Sequence, residues 1–334
     1  MKQNYHLIIA AAVIVVGMSL FLWQENHPSI KEQSFIIMPG DPLVKTAERL
    51  EKAGIITSAK SFLAYGKWNG LDRTVQPGEH VLNNKKTYEE IYTILKTVKV
   101  KENGIAVTFP EGFYARQMGD VLEKKGIVNK KEFLEVVRTG RGLDHVLLKD
   151  IPNQSQLKYR LEGYLFPDTY YFKKNTPPEE VVQKMLLRFY EQMEQLSLPT
   201  HMTVSEWVTL ASIVEREASL QEEMPIIAGV FQNRLKRDIK LQSDVTVQYI
   251  LEKRKKRVLY KDLEINDPYN TYKNKGMPPG PVSNPGAAAL KAAANSSEHN
   301  YIYFVAKADN SGAHHFSETY EEHLRYSKQY QSQF

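Results

Sequence analysis

The sequence predicts an α+β protein, with an N-terminal transmembrane helix, a small strand–helix–helix–strand unit and a mainly helical α+β domain. Three observations favour this class. An uncharged apolar run lies near the N-terminus, short strand-like segments flank two amphipathic helices before residue 100, and helical periodicity dominates after residue 178. We therefore expect an anchor over residues 1–24, a tether over 25–34, a first domain over 35–100 and a second over 101–334.

The composition is that of an ordinary globular protein. The chain has 334 residues, of which 42% are hydrophobic and 25% charged, so it can bury a sizeable core and form two domains. It contains no cysteine, which excludes disulfides, thiolate metal sites and cysteine nucleophiles. The net charge of +5 is spread over many residues of both signs, and no nucleic-acid-binding motif is present. We therefore expect no nucleic-acid partner.

The anchor is predicted from the apolar segment of residues 7–23, "LIIAAAVIVVGMSLFLW". At about 1.5 Å per residue, a helix of this length just spans a bilayer. The following "QENHPS" lacks a small-residue cleavage pattern, so an uncleaved anchor is favoured over a cleaved signal peptide or a buried core helix. Lys2 precedes the run and favours a cytoplasmic N-terminus. The rest of the chain is then expected on the extracytoplasmic side of the membrane.

The first domain is predicted as a strand–helix–helix–strand unit. Its segments are "FIIMPG", "DPLVKTAERLEKAGI", "SAKSFLAYGKWNG" and "GEHVL", with Pro42 in a first helical turn and Gly54 and Gly70 at helix ends. This order resembles the LysM module of glycan-binding proteins, although in pattern rather than in any invariant motif. A small α+β packing unit without a ligand is the alternative.

The second domain begins with a strand and a Pro-Gly turn in "GIAVTFPEGF". The aromatic segment "LEGYLFPDTYYF" is broken by Pro167, which excludes a regular central strand or helix there. A loop of some twenty residues, "NDPYNTYKNKGMPPGPVSNPG", is long enough to indicate a functional role. The helical stretches are expected near 114–125, 130–138, 178–196, 204–219, 223–237 and 245–253, then in "AAALKAAANS" and at the C-terminus after the strand "YIYFVA".

Two glutamates interrupt an otherwise apolar helix in "TLASIVEREA". On a helical projection Glu215 lies near the middle of the apolar stripe and Glu217 on its flank. A carboxyl held in an apolar wall has a raised pKa, which is the condition for a general acid near neutral pH. The alternative is a buried glutamate paired with Arg234 or Arg237. From the pattern alone Glu215 is the stronger candidate, because it lies deeper in the stripe.

Several long motifs in a fixed order resemble the MltG (YceG-like) family of membrane-anchored endolytic murein transglycosylases. They are "LASIVEREA", "AGVFQNRLKRDIKLQSDVTVQY", "DPYNTYKNKGMPPGPVSNPGAAALKAA" and "YIYFVA". The resemblance covers nearly the full chain. It implies that Glu217 is the catalytic acid and Glu215 a supporting residue. Ala218 stands where the family often has threonine, which leaves the role of a neighbouring hydroxyl open.

The resemblance further implies cleavage of the bond between N-acetylmuramic acid and N-acetylglucosamine in peptidoglycan strands. One glutamate protonates the leaving oxygen and then accepts the proton of the muramic acid C6 hydroxyl, which closes on C1 to leave a 1,6-anhydro end. No metal or cofactor is needed. The family also suggests cell-wall synthases, the penicillin-binding proteins, as partners.

The expected substrate-binding residues lie in three segments. Gln242, Ser243 and Asp244 form "QSD" before a helix, where Asp244 reads equally well as an N-cap. Tyr269, Asn270 and Tyr272 in the long loop offer aromatic faces and an amide for sugars, or else a loop held by its own aromatic side chains. His314 matches a family position, and we expect it to be structural or substrate-facing rather than a metal ligand. Asp168 and Tyr170 are weaker candidates of the same kind.

Two other functions fit the same sequence. The chain could be a membrane-tethered glycan-binding scaffold without activity, which uses the LysM-like unit. It could also be a conventional muramidase in which Asp244 supplies the second carboxylate that hydrolysis requires.

Overall fold

The computed structural model describes residues 32–38, 41–97, 104–143, 148, 151–196, 202–251 and 258–332. Their contacts divide the chain into two compact units, which separate between residues 100 and 101, with residues 38–40 grouped with the second. The predicted anchor over residues 7–23 lies outside the described residues, as does most of the tether. Within the described part of the chain, no helix is both long enough and apolar enough to cross a membrane.

The first unit has the predicted order of elements. Strand β1 (Gln33–Ile37) is followed by helices α1 (Leu43–Lys52) and α2 (Ala59–Trp68), strand β2 (Gly78–Leu82) and helix α3 (Tyr88–Leu95). The two strands pair antiparallel, from Gln33 opposite Leu82 to Ile37 opposite Gly78. Pro42 is the N-cap of α1 rather than a residue of its first turn, so the helix begins one residue later than expected.

The core of the first unit is aromatic and aliphatic. Phe62 of α2 and Tyr92 of α3 stack with ring centroids 4.2 Å apart, and the Tyr92 hydroxyl donates to the Phe62 carbonyl. Leu50 and Ile91 are fully buried beside them. The helices are therefore held together by their apolar faces, as the sequence periodicity predicts.

The second unit combines two small antiparallel sheets with a larger set of helices. Strand β3 (Ile105–Thr108) pairs with β4 (Thr169–Phe172), and β5 (Tyr303–Ala306) pairs with β6 (His314–Ser317). The helices are α4 (Ala115–Lys124), α5 (Lys130–Thr139), α6 (Pro178–Glu194), α7 (Val204–Glu217), α8 (Met224–Lys236), α9 (Asp244–Leu251), α10 (Tyr260–Leu263), α11 (Ala287–Ala294) and α12 (Tyr320–Gln331). The mixed α+β class predicted from the sequence is confirmed.

Helix α7 lies at the centre of the second unit. Thr203 and Glu206 cap its start reciprocally, each side chain accepting from the other residue's backbone N–H. Its residues from Trp207 to Val214 are buried, and the Trp207 indole donates to the Leu290 carbonyl of α11 over 2.8 Å. The cap and these packing contacts fix the position of the helix, whose C-terminal end carries Glu215 and Glu217.

The long loop before α11 folds onto this central helix. The Val282 N–H donates to the Ser212 hydroxyl over 2.9 Å, and the Ser283 hydroxyl donates to the Ser212 carbonyl over 3.0 Å. A side chain at Gly163 would come within 2.4 Å of Pro281, so only glycine permits this close approach of the two segments. Much of the loop is therefore part of the core.

Candidate active site

A cavity of about 360 Å³ opens at the C-terminal end of α7. Its polar lining comprises Glu217, Arg234, Gln242, Ser243, Asp244 and Tyr272. Four aromatic side chains from β5 and α12 line most of the rest, namely Tyr303, Phe304, Tyr320 and His323. The core residues Phe231, Leu241 and Ile302 complete the lining. The cavity thus combines carboxyl, amide and aromatic groups, which is typical of a site for a polar ligand with apolar faces.

Glu217 is the last residue of α7 and lines this cavity. The residue is half-buried, while its carboxyl is enclosed by protein. The Ser243 hydroxyl donates to Oε1 over 2.5 Å. Oε2 accepts no hydrogen bond from the residues that the structure describes. One oxygen of the carboxyl is therefore held in place, and the other remains for a ligand.

Burial raises the pKa of Glu217 to about 7. The hydrogen bond from Ser243 opposes this rise because it stabilises the ionised carboxylate, and the charge of Arg216 acts in the same direction. The negative charge of Asp244 adds to the rise. A carboxyl with such a pKa holds its proton at neutral pH in a substantial fraction of molecules, which suits a general acid.

Ser243 owes its position to a loop that is held from two sides. Its N–H donates to the Thr271 hydroxyl over 3.0 Å, and the Thr246 hydroxyl donates to its carbonyl over 2.8 Å. The preceding residue, Gln242, has a φ of 49°. Residues other than glycine rarely adopt this left-handed backbone conformation. Such strain is concentrated at functional sites. It leaves the Gln242 side chain exposed at the cavity while Ser243 points inward.

Asp244 and Tyr272 meet at the cavity. The Tyr272 hydroxyl donates to Asp244 Oδ1 over 2.6 Å. Asp244 is the first residue of α9, and this contact with Tyr272 differs from the N-cap interaction that was the alternative. The structure thus brings Glu217, Ser243, Asp244, Gln242 and Tyr272 together, from three separate segments of the chain.

The alternative in which an arginine neutralises the buried glutamate does not fit the contacts. The Arg234 guanidinium donates to the carbonyls of Ile302 and Leu241, over 2.7 Å and 2.5 Å. Arg237 is exposed. Neither forms an ion pair with Glu217 among the residues described. Arg234 therefore supports the cavity wall rather than holding the carboxylate.

Glu215 lies on another side of α7 and does not line the cavity. Its Oε2 accepts from the N–H of Gly286, the N-cap of α11, over 3.0 Å. Burial raises its pKa to about 7, and the nearby charge of Glu111 contributes to the rise. A side chain at position 286 would collide with the Glu111 carboxyl, so glycine at this position leaves room for Glu111 beside Glu215. Glu215 thus fixes the start of α11 against α7.

Tyr269 and Asn270, which we expected to contact substrate, are buried and do not line the cavity. The Asn270 amide donates to the carbonyls of Leu263 and Ile265, and its oxygen accepts from the Tyr272 N–H. The Tyr269 ring packs on Tyr249 with centroids 5.0 Å apart. The structure thus places both residues in the loop that presents Tyr272 and outside the cavity lining.

His314 also lies behind the cavity rather than in its lining. Its ring Nδ1 is 2.6 Å from Glu223 Oε2, and its backbone N–H donates to Glu223 Oε1.

The two weaker candidates, Asp168 and Tyr170, also make contacts within the protein. Asp168 accepts from Arg188 over 2.7 Å, and the Tyr170 hydroxyl donates to the Phe166 carbonyl over 2.6 Å. Direct substrate contact by His314, Asp168 and Tyr170 is therefore not supported.

Sequence reasoning missed several residues that build the site. Thr271, in the middle of "YNTY", fixes Ser243, and Arg234 fixes the adjacent wall. Tyr320 and His323 belong to the polar C-terminal helix, in which no sequence pattern indicated residues of a site. No three His, Asp or Glu side chains in the described ranges lie together as metal ligands would. That the site works without metal or cofactor remains a prediction.

Comparisons with known proteins agree on one family. Residues 35–329 match the YceG-like family. An endolytic murein transglycosylase of Bacillus subtilis (strain 168) is 33% identical over 305 residues, which are 88% of this chain and 83% of that protein. A protein of the same name from Streptococcus pneumoniae serotype 2 (strain D39) is 31% identical over 317 residues, and the match spans 56% of its length. The crystal structure of a YceG-like protein from Listeria monocytogenes is similar with a TM-score of 0.58 and 30% identity, over 89% of this chain and 99% of that one.

Proposed function

The chain belongs to the YceG-like family, and we propose that it is an endolytic murein transglycosylase in which Glu217 is the catalytic acid. The observation that carries the assignment of the residue is the enclosed carboxyl at the end of α7, which lines a cavity and has a pKa raised to about 7. Glu215 has a similar pKa but contacts the start of another helix. Of these two glutamates, Glu217 is the one that combines a protonated form with access to a ligand.

The proposed reaction has two proton transfers. Glu217 donates its proton to the glycosidic oxygen, and the bond between that oxygen and C1 of N-acetylmuramic acid breaks. The C6 hydroxyl oxygen of the same sugar then forms a bond to C1 and loses its proton to the Glu217 carboxylate. Acid and base are thus one residue, and no water is consumed. Because the nucleophile belongs to the substrate, its high effective concentration can replace a positioned water.

Ser243 and Asp244 support this cycle electrostatically. The hydrogen bond from Ser243 stabilises the carboxylate that exists after the first proton transfer. The Asp244 carboxylate at the same cavity favours the positive charge that develops on the sugar ring when the glycosidic bond breaks. Tyr272 orients Asp244 and offers an aromatic face beside it. Gln242 supplies an exposed amide for sugar hydroxyls.

A hydrolytic muramidase is the second candidate, because Asp244 places another carboxylate at the cavity that contains Glu217. In that reaction Asp244 would activate a water or form a covalent bond to C1. The family relationship favours the transglycosylase. The products separate the two functions, since hydrolysis adds one water to each cleaved strand and transglycosylation adds none.

We further propose that residues 7–23 anchor the protein in the bacterial cytoplasmic membrane, with the catalytic domain outside. The strand–helix–helix–strand unit over residues 35–100 is proposed as a LysM-like domain. Peptidoglycan strands are the proposed substrate, and penicillin-binding proteins the proposed partners. The apolar run, the order of elements in the first unit and the resemblance to the family support these proposals.

The experiment compares wild-type protein with Glu217→Gln on purified peptidoglycan, and mass spectrometry identifies the released sugar ends. We expect 1,6-anhydro ends from the wild type and none above background from the variant. Reducing ends that carry an added water would indicate a muramidase. Binding without any new ends from the wild type would indicate a non-enzymatic scaffold. Undiminished release by a correctly folded Glu217→Gln protein would refute the assignment of the acid.

A further inference from the structure

The cavity that contains Glu217 has an aromatic wall, which comes from the C-terminal part of the chain. Tyr303 and Phe304 belong to β5, and Tyr320 and His323 belong to α12. None of the four lies in the motifs around the two glutamates. The wall therefore forms only when the last helix packs beside β5.

Contacts between the rings fix this wall in place. Tyr303 stacks on His323 with centroids 5.1 Å apart and ring planes 21° apart, and it lies 5.9 Å from the Tyr320 ring. The Arg234 guanidinium lies over the Tyr303 ring at 5.3 Å. Thr319 caps α12 by accepting from the Glu322 N–H, which fixes the start of the helix at Tyr320. The aromatic side chains are thus positioned before any ligand binds.

Tyr320 differs from the other three aromatic side chains in its accessibility. It is 59% exposed although it lines a concave site, whereas the other three are half-buried. A single exposed aromatic residue on a convex surface needs no explanation. An aromatic ring with an open face in a cavity that also contains carboxyl and amide groups offers an apolar platform beside hydrogen-bonding groups. Pyranose rings have this same combination of an apolar C–H face and hydroxyl groups at the rim.

His323 supports the aromatic wall by stacking on Tyr303. Its Nδ1 is buried and has no hydrogen-bond partner among the described residues, and its Nε2 lies 3.5 Å from the Ser327 hydroxyl. Burial and the charge of Arg234 lower the pKa of His323, so the ring is neutral at neutral pH. A neutral ring stacks on Tyr303 without bringing a further charge into the cavity. His323 is thus a positioning residue for the aromatic wall.

We propose that Tyr320 is the stacking platform of a sugar subsite, on which an N-acetylated pyranose ring of the glycan lies with its C–H face against the phenol ring. This inference rests on the proposed function, because the ligand is taken to be the glycan that Glu217 cleaves. It adds a substrate-binding element from α12, which has no part in the proton transfers.

The test uses Glu217→Gln as a parent protein that binds glycan without cleaving it. Calorimetry measures its affinity for a soluble fragment of four alternating N-acetylglucosamine and N-acetylmuramic acid residues. Adding Tyr320→Ala is expected to weaken binding about tenfold, since the aromatic contact is lost. Alanine is a good helix former, so α12 should persist. Tyr320→Phe keeps the ring and should bind within about twofold of the parent.

Tyr326→Ala is the matched control. Tyr326 lies on the same helix and stacks on His315 at 4.1 Å, but it does not line the cavity. We expect it to leave the affinity unchanged. Equal affinity of the Tyr320→Ala protein and its parent would overturn the proposal, and so would a parent that does not bind the fragment. A Tyr320-dependent affinity in a wild type that releases no anhydro ends would refute the proposed function alone.

Discussion

The Ser243 hydroxyl donates to Glu217 Oε1 over 2.5 Å, and this bond joins the end of α7 to the loop before α9. A donor to the ionised form lowers the pKa of a carboxyl, so Ser243 holds the pKa of Glu217 below the value that burial alone would give. Burial, this hydrogen bond and the charges of Asp244 and Arg216 together therefore set the pH range in which Glu217 can act as an acid.

The wild-type protein should lose activity as the pH rises through about 7. Glu217 must carry its proton to begin the reaction, and its pKa is raised to about 7. Above that value the protonated fraction of Glu217, and with it kcat/KM, should fall about tenfold per pH unit. The measurement is kcat/KM for release of anhydro ends between about pH 5 and about pH 9. A rate that rises steadily over this range would contradict the assignment.

Ser243→Ala should shift this decline to higher pH. Removal of a hydrogen bond to a charged group costs about 1.5–3 kcal/mol, which corresponds to roughly one to two pH units in the pKa of Glu217. The same pH series measures the shift. Ser283→Ala is the control, because Ser283 is equally buried but donates to the Ser212 carbonyl instead. A profile unchanged by Ser243→Ala would show that the hydroxyl does not tune the acid.

Glu215→Gln and Glu217→Gln should differ strongly in activity. Loss of a general acid lowers kcat/KM by roughly 10²–10⁴-fold, and we expect this for Glu217→Gln. In Glu215→Gln the amide oxygen can still accept from the Gly286 N–H. Its activity should therefore stay within about tenfold of the wild type, with the charge repulsion from Glu111 removed. Equal losses in both variants, with intact folds by circular dichroism, would contradict the division of roles.

The helices and strands could be predicted from sequence because their signals are local. The cap formed by Thr203 and Glu206, and the glycines with positive φ at positions 54 and 70, lie within a few residues of the helix ends that they determine. Helix α9 and strand β2 also begin within one residue of their predicted positions. Two elements of four residues each, helix α10 and strand β6, lack such local signals and were not predicted.

The site was predicted less completely, because it depends on contacts between distant segments. The projection of α7 placed Glu215 deeper in the apolar stripe, yet depth alone did not identify the carboxyl at the cavity. Asn270 turned inward because its amide satisfies carbonyls of its own loop. Tyr320 could not be predicted, since nothing in a polar helix indicates that one residue reaches a cavity formed by α7 and β5.

Glu162→Gln should make the protein more stable than the wild type above pH 7. Glu162 is fully buried; its Oε1 accepts from the Ala115 N–H and from the Asn284 amide, and burial raises its pKa to about 7. Between about pH 4.5 and 7 the folded protein thus binds a proton that the unfolded chain releases, so the wild type loses stability as the pH rises. Glutamine keeps the acceptor and does not titrate.

Urea unfolding at about pH 5 and about pH 8 measures this difference, which should be near zero at the lower pH and about 1–3 kcal/mol in favour of Glu162→Gln at the higher. Glu162→Ala is the control. It leaves the Asn284 amide and the Ala115 N–H without their partner, and it should be destabilised by about 2–4 kcal/mol at both values. A glutamine variant less stable than the wild type at the higher pH would mean that the buried carboxylate stabilises the fold.

Gln242→Gly should raise stability and lower activity together. Its φ of 49° is unfavourable for glutamine and free of strain for glycine, so the free energy of unfolding should increase by up to about 1 kcal/mol. The exposed amide at the cavity is lost at the same time, so KM for glycan should rise. Asn175→Gly is the matched control, because Asn175 has a φ of 56° and does not line the cavity. It should change stability alone, and an equal rise of KM in both variants would show that the strained residue at position 242 has no special role in binding.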